Sequence, residues 1–199
     1  MKFLILNGPN MNLLGIREPE IYGRGTYEEL VAQVSAHAGA RGVEVEFFQS
    51  NHEGALVDAI QNAYFSGADG IVFNPAAYTH TSIAIADAVR AVGIPTVEVH
   101  ISDVDTREPY RRVSYLSGVA IHTVKGRGFA GYTEALDVLI DRAGQTEKQK
   151  SPHTVCKTDT LTESPAGEMP CAAGEAALSA DCGCHKPACE QGSSGGGNG

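Results

Sequence analysis

Tryptophan is absent from this chain of 199 residues, and its five cysteines, Cys156, Cys171, Cys182, Cys184 and Cys189, all lie beyond residue 150. Anything folded before that point has no thiol to act as nucleophile, disulfide partner or metal ligand. No apolar run approaches the roughly 18 residues that span a bilayer, and the N-terminal MKFLILNGPN lacks the long apolar stretch of a signal peptide. A soluble cytoplasmic protein with no membrane partner is expected. Positive charge is scarce too: 15 Lys and Arg stand against 24 Asp and Glu, a formal net charge of -9. Nucleic acid is therefore not an expected partner, although a local group of arginines can still hold a small anion. Up to residue 145 there is no P-loop, no metal-binding helix and no Gly-x-Ser-x-Gly elbow. Phosphoryl transfer, metallohydrolase and serine hydrolase chemistry lack their parts.

Aromatic residues and isoleucine are also missing from Thr146 to Gly199, where Val155, Leu161 and Leu178 are the only Val or Leu side chains. Such a stretch cannot bury enough apolar surface to offset its ordering entropy. Residues 146–199 are read as a disordered, Cys-containing tail and residues 1–145 as the folded domain. In the tail, CGCHKPAC gathers Cys182, Cys184, His185 and Cys189, which are soft-metal ligands. The spacing is not the double Cys-x-x-Cys of a zinc ribbon, so no metal is expected.

What residues 1–145 do contain is alternation. The runs KFLIL, VEVEFF, GIVF, TVEVH and GVAIHTV read as strands, and YEELVAQVSAHAGA, GALVDAIQNAYFS, SIAIADAVRAV and YTEALDVLIDRA read as helices. Thr26 with Glu29 suits a capping box, and Gly42 and Gly93 suit helix stops. Alternation of this kind predicts an α/β fold: a flavodoxin-like three-layer αβα sandwich with a five-stranded parallel sheet in the order 2-1-3-4-5. Chemistry is then sought beyond the carboxyl ends of the strands, at the point where the strand order reverses.

Three segments lead there. The first is LNGPNMNLLGIREPEIYG, Leu6 to Gly23, far longer than the roughly 2 to 6 residues that usually join a strand to a helix. It carries Asn10, Arg17 and Tyr22. The second, NPAAYTHTS, carries Asn74 and His80, and the third, HISDVDTREPYRR, carries His100, Arg107, Arg111 and Arg112. Each residue alone has a plain structural reading: the asparagines as turn residues beside proline, His80 as a cap, Tyr22 as packing, the arginines as a solvated turn. His100 is sharper, because Glu98 lies two residues earlier on the same strand face and can orient its imidazole. GRGFAG, from Gly126, matches a dinucleotide-binding pattern but follows the last strand, with no acidic partner at the needed distance inside the domain.

Taken in order and spacing, LNGPNMNLLGIREPEIYG, FFQSNHEGALVDAI, NPAAYTHTSIAIADAV and VEVHIS followed by REPYRR resemble the type II 3-dehydroquinate dehydratases over residues 1 to about 143. The resemblance implies a cofactor-free elimination of water from 3-dehydroquinate to 3-dehydroshikimate through an enolate, the third step of the shikimate pathway. By matching position it makes Tyr22 the base at C2, His100 the acid for the departing hydroxyl, and Arg17 a stabiliser of the reacting state, while Asn10 holds a water at the enolate oxygen. Asn74, His80, Arg111 and the backbone amides of Ile101 and Ser102 would hold the substrate. Asp87 would reach a neighbouring subunit's site in a homododecamer of four trimers.

Elementary chemistry agrees with those roles. A tyrosine with an ordinary pKa of about 10 needs nearby positive charge to act as a base, which Arg17 and Arg107 can supply. His100, held by Glu98, can give a proton to a leaving oxygen. Three features depart from the family pattern: Asp103, Asp105 and KGRGFAGY, the first two adding negative charge near an anionic substrate. Two other readings stand beside this one. The first is a lyase or isomerase for another cyclic polyhydroxy carboxylate. The second is a flavodoxin-like binding or receiver module without catalysis, although a receiver would place acidic residues where NGPN stands.

Overall fold

The β-rich runs form five parallel strands, β1 Lys2–Asn7, β2 Glu44–Gln49, β3 Gly70–Asn74, β4 Thr96–His100 and β5 His122–Lys125. Their order is β2-β1-β3-β4-β5, as expected from the alternation. Among the described residues five α-helices accompany them: α1 Pro19–Tyr22, α2 Tyr27–Arg41, α3 Glu53–Phe65, α4 Ile83–Val92 and α5 Ala130–Gln149. The computed structural model describes residues 1–149, and of Pro19, Tyr22 and residues 146–149 it describes the backbone only. The expected tail and its cysteine group lie outside the described residues, apart from the end of α5, which runs past residue 145.

The alternation of side chains along β1 builds both cores. Phe3 and Ile5 point to the layer of α2 and α5, where they meet Leu30, Val34, Tyr132, Leu136 and Leu139. Leu4 and Leu6 point the other way, to Leu56 and Ile60 of α3 and Ile85 and Val89 of α4. Burying a side chain of this size contributes about 1.5–3 kcal/mol, and β1 does so on both faces because it is a central strand. β2, at the edge, alternates exposed and half-buried residues instead.

The helix ends follow their signals. Thr26 and Glu29 form both hydrogen bonds of the capping box, and Gly42 closes α2 in the left-handed conformation. β5 is shorter than its sequence run. It starts at His122 rather than Gly118, because the N–H groups of Val119 and Ala120 both donate to the carbonyl of Leu116. Leu116 is itself buried on the α3 and α4 side, so this turn packs as core before the ladder begins at Ile121 N–H to Thr96.

Register fixes what reaches the carboxyl rim. Asn7 pairs with Gln49 on one side and Asn74 on the other, and His100 pairs with Lys125. Five polar residues thus end their strands on one edge of the sheet. Among the described residues no helix is long and apolar enough to cross a membrane.

Candidate active site

At the switch point the connections leaving β1 and β3 are pressed together. Gly8 N–H donates to the Asn74 carbonyl at 2.8 Å, and a Cβ on Gly8 would stand 2.4 Å from the Pro75 carbonyl oxygen, so only glycine fits there. Among the described residues the positive-φ residues other than glycine are Asn10 (65°), Glu18 (39°) and Ala76 (51°), all on these two connections. Such conformations persist where surrounding contacts enforce them and they gather at functional sites. The last residue of β2 and one from the turn after it brace the long loop. Gln49 donates to the Gly8 carbonyl at 3.1 Å, and the Asn51 side chain accepts from Asn10 N–H at 2.9 Å.

Beneath the rim lies a buried polar chain. The Tyr132 hydroxyl, at the start of α5, donates to Asn7 Oδ1 at 2.6 Å and accepts from Asn74 Nδ2 at 2.9 Å. Asn74 Oδ1 accepts from Ala76 N–H at 3.1 Å. Asn74 is thereby fixed from both ends of its amide, with one N–H of Nδ2 left to face the cleft.

The cleft itself is lined by Asn74, His80, His100, Ile101, Ser102, Arg17, Arg107 and Arg111, with Pro9, Met11, Ala76, Ala77 and Val104 supplying apolar wall. His100 Nε2 donates to Glu98 Oε1 at 2.8 Å. Glu98 is fully buried in β4 and also accepts from Ser114 Oγ at 2.8 and 3.1 Å and from Thr123 at 3.4 Å. Burial alone pushes its carboxyl up, but those hydrogen bonds and the imidazole's charge outweigh it and hold it below the usual carboxylate range. Since an ionised carboxylate only accepts, the His100 proton toward it sits on Nε2, and Nδ1 is left for the reaction.

His80 Nδ1 donates to the Val113 carbonyl at 2.6 Å. Burial, with the charges of His100 and Arg111, pushes its imidazole below the ordinary range, against the pull of that carbonyl and of Glu98. A neutral His80 with its proton on Nδ1 presents Nε2 as an acceptor. Glu108 stands between two guanidiniums, at 3.0 Å from Arg111 Nε and 3.5 Å from Arg107 Nε. Its own backbone amide first, then the two arginines, hold its carboxyl low. Arg17 reaches the cleft from the long loop with Nε donating to Glu18 at 3.0 Å.

Of the residues expected at the site, Asn10 is exposed and does not line the cleft, and Arg112 is likewise exposed outside it. Asp87 sits on the outer side of α4, 2.6 Å from Arg90 Nη1. Tyr22 ends α1 on the loop that carries Arg17, and its side chain lies outside the described residues. The extra acids are tied up. Asp103 accepts from Asp105 N–H at 3.0 Å, and the Asp105 carboxylate meets Lys125 Nζ at 3.0 and 3.1 Å. A hollow of about 620 Å³ between β2 and α3 contains none of these groups. Among the described residues no three His, Cys, Asp or Glu side chains are grouped to hold a metal ion.

A family model described as Dehydroquinase class II matches residues 1–140. The chain belongs to that family. It is 52% identical over 141 residues to "3-dehydroquinate dehydratase 1" of Ralstonia nicotianae, covering 71% of this chain and 90% of the relative. It is 54% identical over 134 residues to the "Catabolic 3-dehydroquinase" of Aspergillus clavatus, covering 67% and 89%. The crystal structure of type II dehydroquinase from Butyrivibrio crossotus is 51% identical, with a TM-score of 0.70 over 70% of this chain and 97% of that one.

As a class II dehydroquinase, the chain has its matched family region within the described residues. Several supporting residues escaped the sequence reading. Gln49 and Asn51 lie inside the motif FFQSNHEGALVDAI and could have been flagged by it. Asn7 ends its strand as a lone polar residue in FLILN, a visible signal. Tyr132 and Ser114 carry none, since their partners are distant in sequence.

Proposed function

We propose that this dehydroquinase eliminates water from 3-dehydroquinate to give 3-dehydroshikimate, with Tyr22 and His100 as base and acid. Tyr22, as phenolate, takes the C2 proton, and the C–H electron pair becomes an enolate. Arg17 and Arg107 provide the positive charge that favours the phenolate. The enolate then re-forms the carbonyl, the new double bond expels the C1 hydroxyl, and His100 supplies from Nδ1 the proton that makes it water. Two proton transfers through solvent restore both residues. The oxygen of the enolate needs a donor, a role assigned to a water held from Asn10.

The observation that supports this reading best is the buried Glu98–His100 pair opening on a cleft that three arginines line. A carboxylate substrate suits that charge. Asn74, His80 Nε2, Arg111 and the amides of Ile101 and Ser102 are assigned to its carboxylate and hydroxyls. The free space between them is only about 50 Å³, well below the roughly 300 Å³ and more of ligand pockets. It continues past Ile101, Ser102 and Arg107 into a hollow of about 390 Å³ reaching Ile21. The part of the loop between Gly15 and Gly23 must therefore lift to admit substrate and close over it, with those two glycines, both at φ 83°, as its hinges.

The same reading places the reaction in the shikimate route to aromatic amino acids, in the cytoplasm, without a cofactor. It has the enzyme working as a dodecamer of four trimers in which Asp87 completes a neighbour's site, and residues 146–199 dispensable for turnover. Tyr22→Phe tests the chemistry: turnover should be abolished with the fold kept, whereas Arg111→Ala should chiefly raise KM. Near-normal turnover in Tyr22→Phe would remove the base assignment.

A further inference from the structure

The segment Val113–Tyr115 reaches both site histidines, His80 directly and His100 through Glu98. The Val113 carbonyl takes the Nδ1 proton of His80 at 2.6 Å. The Ser114 hydroxyl meets both oxygens of Glu98, at 2.8 and 3.1 Å, and Glu98 in turn holds His100. Tyr115 N–H donates to the Thr79 carbonyl at 3.0 Å, which pins the segment to the turn that bears His80. The direction of the Ser114 bond is fixed by what else its oxygen does. It accepts the backbone N–H groups of Leu116 at 3.1 Å and Ser117 at 3.0 Å. Both lone pairs are thus engaged and the hydroxyl hydrogen goes to the carboxylate. Two amide donors polarise that hydroxyl and make it a stronger donor.

We propose that Ser114 is a positioning residue for the dehydration, holding the Glu98 carboxylate aimed so that the His100 imidazolium keeps its Nε2 proton on Glu98 and presents Nδ1–H to the substrate, while Val113 holds His80 neutral with its proton on Nδ1. Two imidazoles on one cleft are thereby given different jobs: a proton donor at His100 and an acceptor at His80. One turn, following the arginine segment, enforces both. This rests on His100 being the acid.

The titratable groups that face Glu98 are His100 on its own strand and His80 from the turn after β3, and Arg111 from the turn after β4 faces His80 in turn. Among its hydrogen-bond donors, Ser114 is one that lowers the Glu98 pKa. Removing it raises the pH at which Glu98 protonates, and a protonated Glu98 no longer supports an imidazolium. In the full chain, Ser114→Ala should lower kcat about fivefold to twentyfold, the loss of one charge-assisted hydrogen bond, with KM within about twofold. The acid limb of its kcat against pH should move upward, and Ser114→Thr should restore both. A Ser114 that merely supported the turn would lower Tm and leave the acid limb in place, and that result overturns the proposal. Should Ser114→Ala fail to fold, Ser114→Cys keeps the volume with a weaker donor, and an intermediate limb shift is expected. Imidazole nitrogen shifts by NMR separate the two layers of the argument. Loss of the His100 Nε2–H tautomer in the variant with kcat unchanged supports the positioning and removes His100 as the acid. An unchanged tautomer together with an unchanged limb refutes the positioning itself.

Discussion

Replacing Tyr132 by phenylalanine removes one oxygen from beneath the carboxyl rim of the sheet and leaves the ring in place. The hydroxyl is fully buried, donates to Asn7 Oδ1 and accepts from Asn74 Nδ2. Without it Asn7 and Asn74 each lose a partner in a place where water has little access, Asn7 and Asn74 being 0% and 3% exposed. Leaving a buried polar group unsatisfied costs about 1–3 kcal/mol, so two such groups, partly relaxed, give about 2–4 kcal/mol. For a domain of this size each kcal/mol moves Tm by about 2–4 °C, giving a fall of about 4–16 °C. Guanidinium unfolding should move to a lower midpoint with an unchanged slope, because the surface exposed on unfolding is the same. Activity should fall as well, since Asn74 lines the cleft. A loss of stability under about 0.5 kcal/mol would mean that the chain of hydrogen bonds contributes nothing beyond its packing and would refute the reasoning.

Two other outcomes follow from the electrostatics. Lys125→Met strips the cover from Asp105, 3.0 Å from its ammonium. The pair is well solvated, so stability should change by less than about 1 kcal/mol, while KM for an anionic substrate should rise about twofold to fivefold at low salt and recover as salt is added. Adding Asp105→Asn should restore KM, and a KM indifferent to all three changes would show that the acidic departures are silent. Glu98 and His80 both have folded pKa values below their ordinary ones. Stability from His80 is present above about pH 6.5 and lost as pH falls through its lowered folded value; that from Glu98 is present above about pH 4.5 and lost further down. Tm should therefore decline on acidification from neutrality; a Tm that rises from about pH 7 to pH 5 would contradict the His80 assignment, and one that rises below about pH 4.5 the Glu98 assignment.

The fold was legible because its signals are local or strictly periodic. Phe3, Leu4, Ile5 and Leu6 alternate between two cores, Thr26 and Glu29 cap within a single turn, and strand-helix alternation leaves few sheet orders. Where a tertiary contact competes with a local pattern the reading fails: GVAI looks like strand, yet it closes a turn over buried Leu116. The site divides in the same way. His100 and Glu98 announce each other across two positions of one strand, and the long β1–α2 loop announces itself by its length. Ser114 and Tyr132 act over sequence gaps that only the folded chain closes, 16 residues to Glu98 and 125 to Asn7. Asp103 and Asp105 looked like obstacles to an anion because their partners, a backbone amide and Lys125, could not be seen from charge alone.

The central claim is tested most directly by mixing the chelator-treated protein with 3-dehydroquinate and following the ultraviolet absorbance of the conjugated enone product. The account predicts that the band appears with the wild-type chain and not with Tyr22→Phe. A folded wild-type sample that leaves the absorbance flat would contradict it.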